Sequence, residues 1–244
     1  MIRLVEKEEQ QRRLLALCEK TAFGCKIASL ALAYGFDKGF ACFWLDDQDQ
    51  VVYCLADGVM LLSGTVVQEE QARSFLRAVG PQEVFCAVRN AEALGLAPLE
   101  TGAVLKKLSA PGAKAPEPEG EPGGIREIYG LLEDVGMAPE FEPFYLDLSH
   151  KLRHGQAWTS TRRDGQGLTG CALVSAITKG SVVLSAVAVR EDCRRQGLGS
   201  ALVKEAEGAF PGKTVYVFRE QGKNKEFYWG LGYLRADTWV RSQL

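Results

Sequence analysis

Apolar residues recur along this chain with two periods, and the switches between them outline its elements. From Glu8 to Phe36 they return every three or four positions, which predicts helix. FACFWLDD (40–47), QVVYCLAD (50–57) and VMLLSGTVV (59–67) are dense runs of strand length, rich in valine and aromatics. EEQARSFLRAVG (69–80) returns to helical spacing, and EVFCAVR (83–89) is a strand again. A second series starts at Ile125. IREIYGLLEDVG (125–136) and FYLDLSHKLRHG (144–155) predict helices, and residues 157–177 predict two strands turning at Asp164-Gly165. SVVLSAVAV (181–189) suits a buried strand. LGSALVKEAEGAF (198–210) places Leu198, Leu202, Ala206 and Ala209 on one helical face. KTVYVFRE, NKEFYWGLGY and ADTWVRS then read as strand, short helix and strand.

The two series follow much the same order. EVFCAVRNAEALGLAPLETGAVLKKL can be laid beside TVYVFREQGKNKEFYWGLGYLRADTWVRS, which reads as a weak internal repeat. Between them lies APGAKAPEPEGEPGG (110–124), with four prolines (Pro111, Pro116, Pro118, Pro122) and no large apolar residue from Leu108 to Ile125. Such a segment has nothing to anchor in a core and reads as a linker. The expected organisation is 1–109, linker 110–124, and 125–244.

Composition narrows the function. The 29 basic and 31 acidic residues give a net charge of −2, without the basic face that duplex nucleic acid requires. The charged start MIRLVEKEEQQRRLL is unlike a signal peptide, and no apolar run approaches the roughly 20 residues that span a bilayer. Seven scattered cysteines without CxxC spacing, and only His150 and His154 as histidines, predict reduced thiols in a cytoplasm and no metal site.

The chemistry concentrates in CRRQGLGSALV (193–203). A strand, a glycine-containing loop and a helix in succession can seat phosphate. The first helical N–H groups lack partners, and the helix dipole adds partial positive charge. Glycine lets the backbone approach a bulky anion, and arginine adds charge-assisted contacts. The same residues could also form an ordinary turn before a structural helix. GQGLTG (165–170) has the glycine spacing of dinucleotide-binding loops, but CALVSAITKG after it reads as strand, so a hairpin turn is expected there.

The triplet Val187-Ala188-Val189, then Arg194-x-x-Gly197-x-Gly199, then NKEFYWGLGY together resemble the GNAT family of N-acetyltransferases over residues 125–244. The resemblance implies an α/β fold, a mixed central sheet flanked by helices, here as two GNAT-like halves in tandem. It implies acetyl-CoA as co-substrate and direct attack by an amine, without a covalent enzyme intermediate. The backbone of Val187, Ala188 and Val189 would take the pantetheine arm. Arg194, Arg195, Gln196, Gly197, Leu198, Gly199 and Ser200 would surround the pyrophosphate, with Asn224 as a second contact. Tyr228 would donate a proton or hydrogen bond to the leaving thiolate, or else pack in the core beside Phe227 and Trp229. The expected partner is a small-molecule or peptide amine, and a homodimer is one candidate assembly.

The sequence departs from the family at the base, because SVVLSAVAV and TVYVF contain no carboxylate. Glu220, His150 and His154 are weak candidates, and a water chain is another. Cys193 reads as a bystander. Glu140 and Glu142 among aromatics would suit a cationic amine, or form a solvated loop. In the first half the counterpart of the glycine loop is QEEQARSFL (68–76). Glu69 and Glu70 repel phosphate and Gln71 and Arg73 replace glycines, so that half is expected to bind no CoA.

Overall fold

A computed structural model describes residues 1–48, 50–112 and 123–244. Most of the expected linker, 113–122, lies outside the described residues. In chain order the elements of the first half are β1 (Ile2–Leu4), α1 (Glu8–Cys18), α2 (Ala22–Tyr34), β2 (Ala41–Asp46), β3 (Val51–Ala56), β4 (Val59–Gly64), α3 (Glu69–Val79), β5 (Glu83–Ala87), α4 (Val88–Leu94) and β6 (Glu100–Leu108). The second half supplies α5 (Ile125–Asp134), α6 (Phe141–Arg153), β7 (Trp158–Asp164), β8 (Gly167–Ile177), β9 (Ser181–Val189), α7 (Leu198–Ala209), β10 (Thr214–Glu220), α8 (Lys225–Gly230) and β11 (Leu234–Gln243). The contacts divide the chain into Met1–Lys106 with Phe218–Leu244 as one compact unit, and Lys107–Val217 as another.

In the first unit the strands run in the order β1-β2-β3-β4-β5-β11-β6. Strand β11 is antiparallel to both its neighbours, Trp239–Gln243 against Ala87–Glu83 and Leu234–Arg241 against Lys106–Glu100. It carries Val240, 1% exposed, into the core made by Tyr53, Met60, Leu62, Leu76, Val84 and Cys86. A ring cluster of Phe23, Phe85, Phe218 and Trp239 lies beside it, with centroids 5.3–5.6 Å apart. The long helical pattern of 8–36 is two helices. Thr21 accepts the Gly24 N–H at 2.9 Å and caps α2.

Strands β4 and β5 pair in parallel only through Val59–Leu61 and Glu83–Phe85. Past that point the buried Asn90 of α4 takes over, donating to the Gly64 carbonyl at 3.1 Å and accepting the Val66 N–H at 3.0 Å. One side-chain amide thus occupies the ladder position that a further strand would use. The predicted strand 59–67 accordingly ends at Gly64.

In the second unit the order is β10-β9-β8-β7. The Asp164-Gly165 turn joins β7 and β8, as expected, and no helix follows GQGLTG. Gly170 has a packing role instead. A Cβ there would lie 3.0 Å from Leu202 and 3.2 Å from Leu198, so glycine lets α7 settle on β8. Helix α7 buries Leu202, Val203 and Ala206 completely, and the buried Glu205 accepts Arg162 of β7 at 2.6 Å. Helix α5 adds Ile128, Leu131 and Leu132 over Cys171 and Ala188.

Candidate active site

Two features of the second unit set the geometry. The first is a fork between strands. The parallel ladder of β9 with β10 covers Ser181–Val183 against Thr214–Tyr216 and then ends, while β9 continues to Val189 paired with β8 alone. Ala188 is buried with Cys171 and Leu168, whereas Val187 and Val189 are half-buried on the opposite face. Beyond the fork, the edge of β9 turned from β8 is available for an extended ligand to pair with.

The second feature is the loop that follows. Arg190 donates its backbone N–H to Thr169 at 2.9 Å, and Glu191–Cys193 make one 3-10 turn. Arg195 and Gly197 hold left-handed backbone, φ +63° and +81°. Left-handed backbone costs a non-glycine residue about 1 kcal/mol or more, so Arg195 is held there by its surroundings. Gly197 is the N-cap of α7, and its carbonyl accepts the Ala201 N–H at 3.0 Å. The N–H groups of Leu198, Gly199 and Ser200 precede the first intrahelical bond of α7. A Cβ on Gly197 would meet no atom within 4 Å, so the cradle is open. These donors suit a pyrophosphate. Arg194 is tied to the strand end, its Nε donating to the Val189 carbonyl at 3.1 Å.

The loop is braced by an ion-pair cluster that the sequence did not announce. The Arg190 guanidinium reaches Asp164 at 2.5 Å and Asp192 at 2.7 Å. Hydrogen bonds from Arg190, then from the Gln166 N–H, hold the Asp164 carboxyl at about 2, below its ordinary 3.8. A carboxylate depressed in the folded state adds stability that is complete above its unfolded pKa and disappears as pH falls through the folded one. Asp164→Asn should therefore flatten the fall in unfolding midpoint between about pH 4 and about pH 2. An unchanged pH profile would remove the brace.

The remaining predicted residues belong elsewhere or are otherwise engaged. Asn224 and Tyr228 belong to the first unit, on α8. Asn224 is a left-handed N-cap, φ +54°. Tyr228 is buried between Phe227 and Tyr233, with centroids at 5.0 and 5.4 Å. Burial pushes its phenol up to about 12, so it stays protonated at neutral pH. Glu220 pairs with Lys223. His150 and His154 stack on each other at 4.2 Å. Burial also raises the Cys193 thiol, which leaves less thiolate for reaction. Glu140 and Glu142 are exposed at the start of α6, while Arg126 lies over the rings of Phe141 and Tyr145 at 5.4 and 5.3 Å. Among the described residues no group of three or more His, Cys, Asp or Glu could hold a metal, and no helix is long and apolar enough to cross a membrane.

The corresponding place in the first unit is built differently. Arg73 of α3 binds Glu69 at 2.9 Å and Glu70 at 2.5 Å, and donates to the Leu94 carbonyl at 3.2 Å.

A forked parallel strand pair leading through a glycine loop into a helix gives this α/β unit a free strand edge beside a helix N-terminus. Residues 125–233 match the family model described as the acetyltransferase (GNAT) family. Solved structures extend the likeness to the whole chain. A GCN5-related N-acetyltransferase from Sphaerobacter thermophilus is 16% identical, covering 100% of this chain and 95% of that one, at a TM-score of 0.63. A GNAT-family acetyltransferase from Colwellia psychrerythraea is 12% identical, covering 100% and 99%, at 0.61. A tandem GNAT protein from the clavulanic acid biosynthesis pathway, solved without AcCoA, is 13% identical over 99% and 97%, at 0.58. The fold is therefore two GNAT-like halves in tandem, as the repeat predicted. No curated protein matches the sequence.

Proposed function

We propose that this protein is an acetyl-CoA-dependent N-acetyltransferase whose co-substrate is held by the second unit. The fork of β9 from β10, ending in the open loop at Gly197, is the observation that supports this most directly. Backbone groups of Val187, Ala188 and Val189 line the arm of the co-substrate. Leu198, Gly199 and Ser200 direct their N–H groups at its pyrophosphate, with Arg194, Arg195 and Gln196 around it. An amine attacks the acetyl carbonyl directly. The carbon–sulfur bond breaks with its electrons going to sulfur. The first unit carries no second co-substrate, because Asn90 fills its strand gap and Glu69 and Glu70 replace the loop. Seven scattered cysteines without CxxC spacing suit a cytoplasm.

CoA release above background hydrolysis, with a panel of small and peptide amines, tests the reading. Binding of acetyl-CoA with no transfer to any amine would favour a non-catalytic acyl-CoA-binding or assembly protein, a reading that rests on the missing carboxylate in SVVLSAVAV.

A further inference from the structure

We propose that Ser185, working with Ser175, is the proton-transfer point for the attacking amine; this rests on the acetyl-transfer reading above. The ladder between β8 and β9 slips twice, from Leu173↔Ala186 to Val174↔Leu184 and then to Ala176↔Val183. The residues skipped are Ser185 on β9 and Ser175 on β8. Both bulges release a serine from the ladder, and their hydroxyls meet in a hydrogen bond. Ser185 is exposed and Ser175 half-buried, and the Val183 carbonyl is a distant alternative acceptor for Ser185 at 3.5 Å.

The pair sits where the reacting end of the ligand must stop. A chain anchored at residues 194–200 and paired with the backbone of Val189 and Val187 runs back toward the start of β9. It can go no farther than Val183, where β10 pairs with β9. Ser185 lies between Val187 and that fork.

The first unit offers an internal comparison. Counted from its own parallel ladder, Ser63 stands two residues beyond Leu61, as Ser185 stands two beyond Val183. Ser63 is 3% exposed and hydrogen-bonds the hydroxyl of Thr21, the cap of α2, at 2.7 Å. The same residue type is a structural link in one unit and exposed in the other.

A lone serine is too weak an acid and base to deprotonate an amine, but a hydroxyl pair can pass a proton along. The nitrogen forms its bond to the acetyl carbon, and the carbon–sulfur bond breaks with its electrons going to sulfur. The nitrogen's proton goes to Ser185 Oγ as the Ser185 hydroxyl proton goes to Ser175 Oγ. The Ser175 hydroxyl proton goes to a water, from which buffer base removes it.

Steady-state kinetics of Ser185→Ala, Ser175→Ala and the double variant, with acetyl-CoA and the best amine of the panel, test this. Each single change should lower kcat by about 100-fold with KM for acetyl-CoA within about twofold, and the double should be no worse than the lower single. Ser185→Thr should keep most of kcat, and the alanine variants should gain a steeper rise of rate with pH. Ser63→Ala should move the unfolding midpoint and leave kcat alone. Unchanged kcat in Ser185→Ala, or additive losses in the double variant, would overturn the relay while acetyl transfer stands. Wild-type protein that binds acetyl-CoA but acetylates nothing would overturn the transfer reading, and the relay with it.

Discussion

Gly197→Glu is expected to erase the stabilisation that acetyl-CoA gives the natural protein. At 100 times its dissociation constant a ligand adds about 2.7 kcal/mol, which in a chain of this size raises the unfolding midpoint by about 5–10 °C. The substitution places a carboxylate at the mouth of the N–H cradle, where the helix end favours the opposite pairing. It meets open space, so the fold is not overpacked. The residual cost is left-handed backbone at φ +81°, about 1–2 kcal/mol, and Gly197→Ala isolates it because alanine carries the same strain without the charge. The alanine variant should start from a lowered midpoint and still respond to acetyl-CoA, whereas the glutamate variant should not. A full response in the glutamate variant would place the co-substrate elsewhere.

Removing β11 by ending the chain at Tyr233 should unfold the first unit. The strand supplies hydrogen bonds to two neighbours at once, β5 and β6, and it buries Trp239 and Val240. Two such side chains contribute about 3–6 kcal/mol by burial alone, set against a total stability of about 5–15 kcal/mol. The truncated chain should lose its cooperative urea transition for that unit and aggregate through the two strand edges left open. Val240→Ala is the milder form, expected to cost about 2 kcal/mol without loss of the fold. A truncated chain with an unchanged urea midpoint would mean that β11 contributes little.

Where periodicity and local chemistry decide structure, the sequence was legible. SVVLSAVAV is β9 residue for residue, and the loop and helix start of RRQGLG lie where their glycines put them. GQGLTG was separable from a dinucleotide loop because the strand character of the residues after it overruled the glycine spacing. Other features depend on partners distant in sequence. The apolar spacing runs unbroken through Thr21, so only the cap shows that α1 and α2 are separate. Strand β4 stops early because Asn90, 26 residues on, takes the Gly64 carbonyl. Strand β5 yields to α4 at Val88, although valine and arginine fit a strand equally well. The short β1 lies in a charged stretch and exists only through pairing with β2. Ser175 and Ser185 could not be picked out, since a bulge is a property of register between two strands. Arg190 and Asp164 are likewise joined across the hairpin.

The placing of β11 also fixes an order of events during synthesis. Strands β5 and β6 leave the ribosome long before Leu234–Gln243 are translated, and at about 5–20 residues per second the wait is about 6–30 s. Throughout that interval the nascent chain has every residue of Lys107–Val217 ahead of the strand that completes the first-formed half. The half made first is therefore finished last, and a ribosome that stalls inside α8 leaves it without its β11.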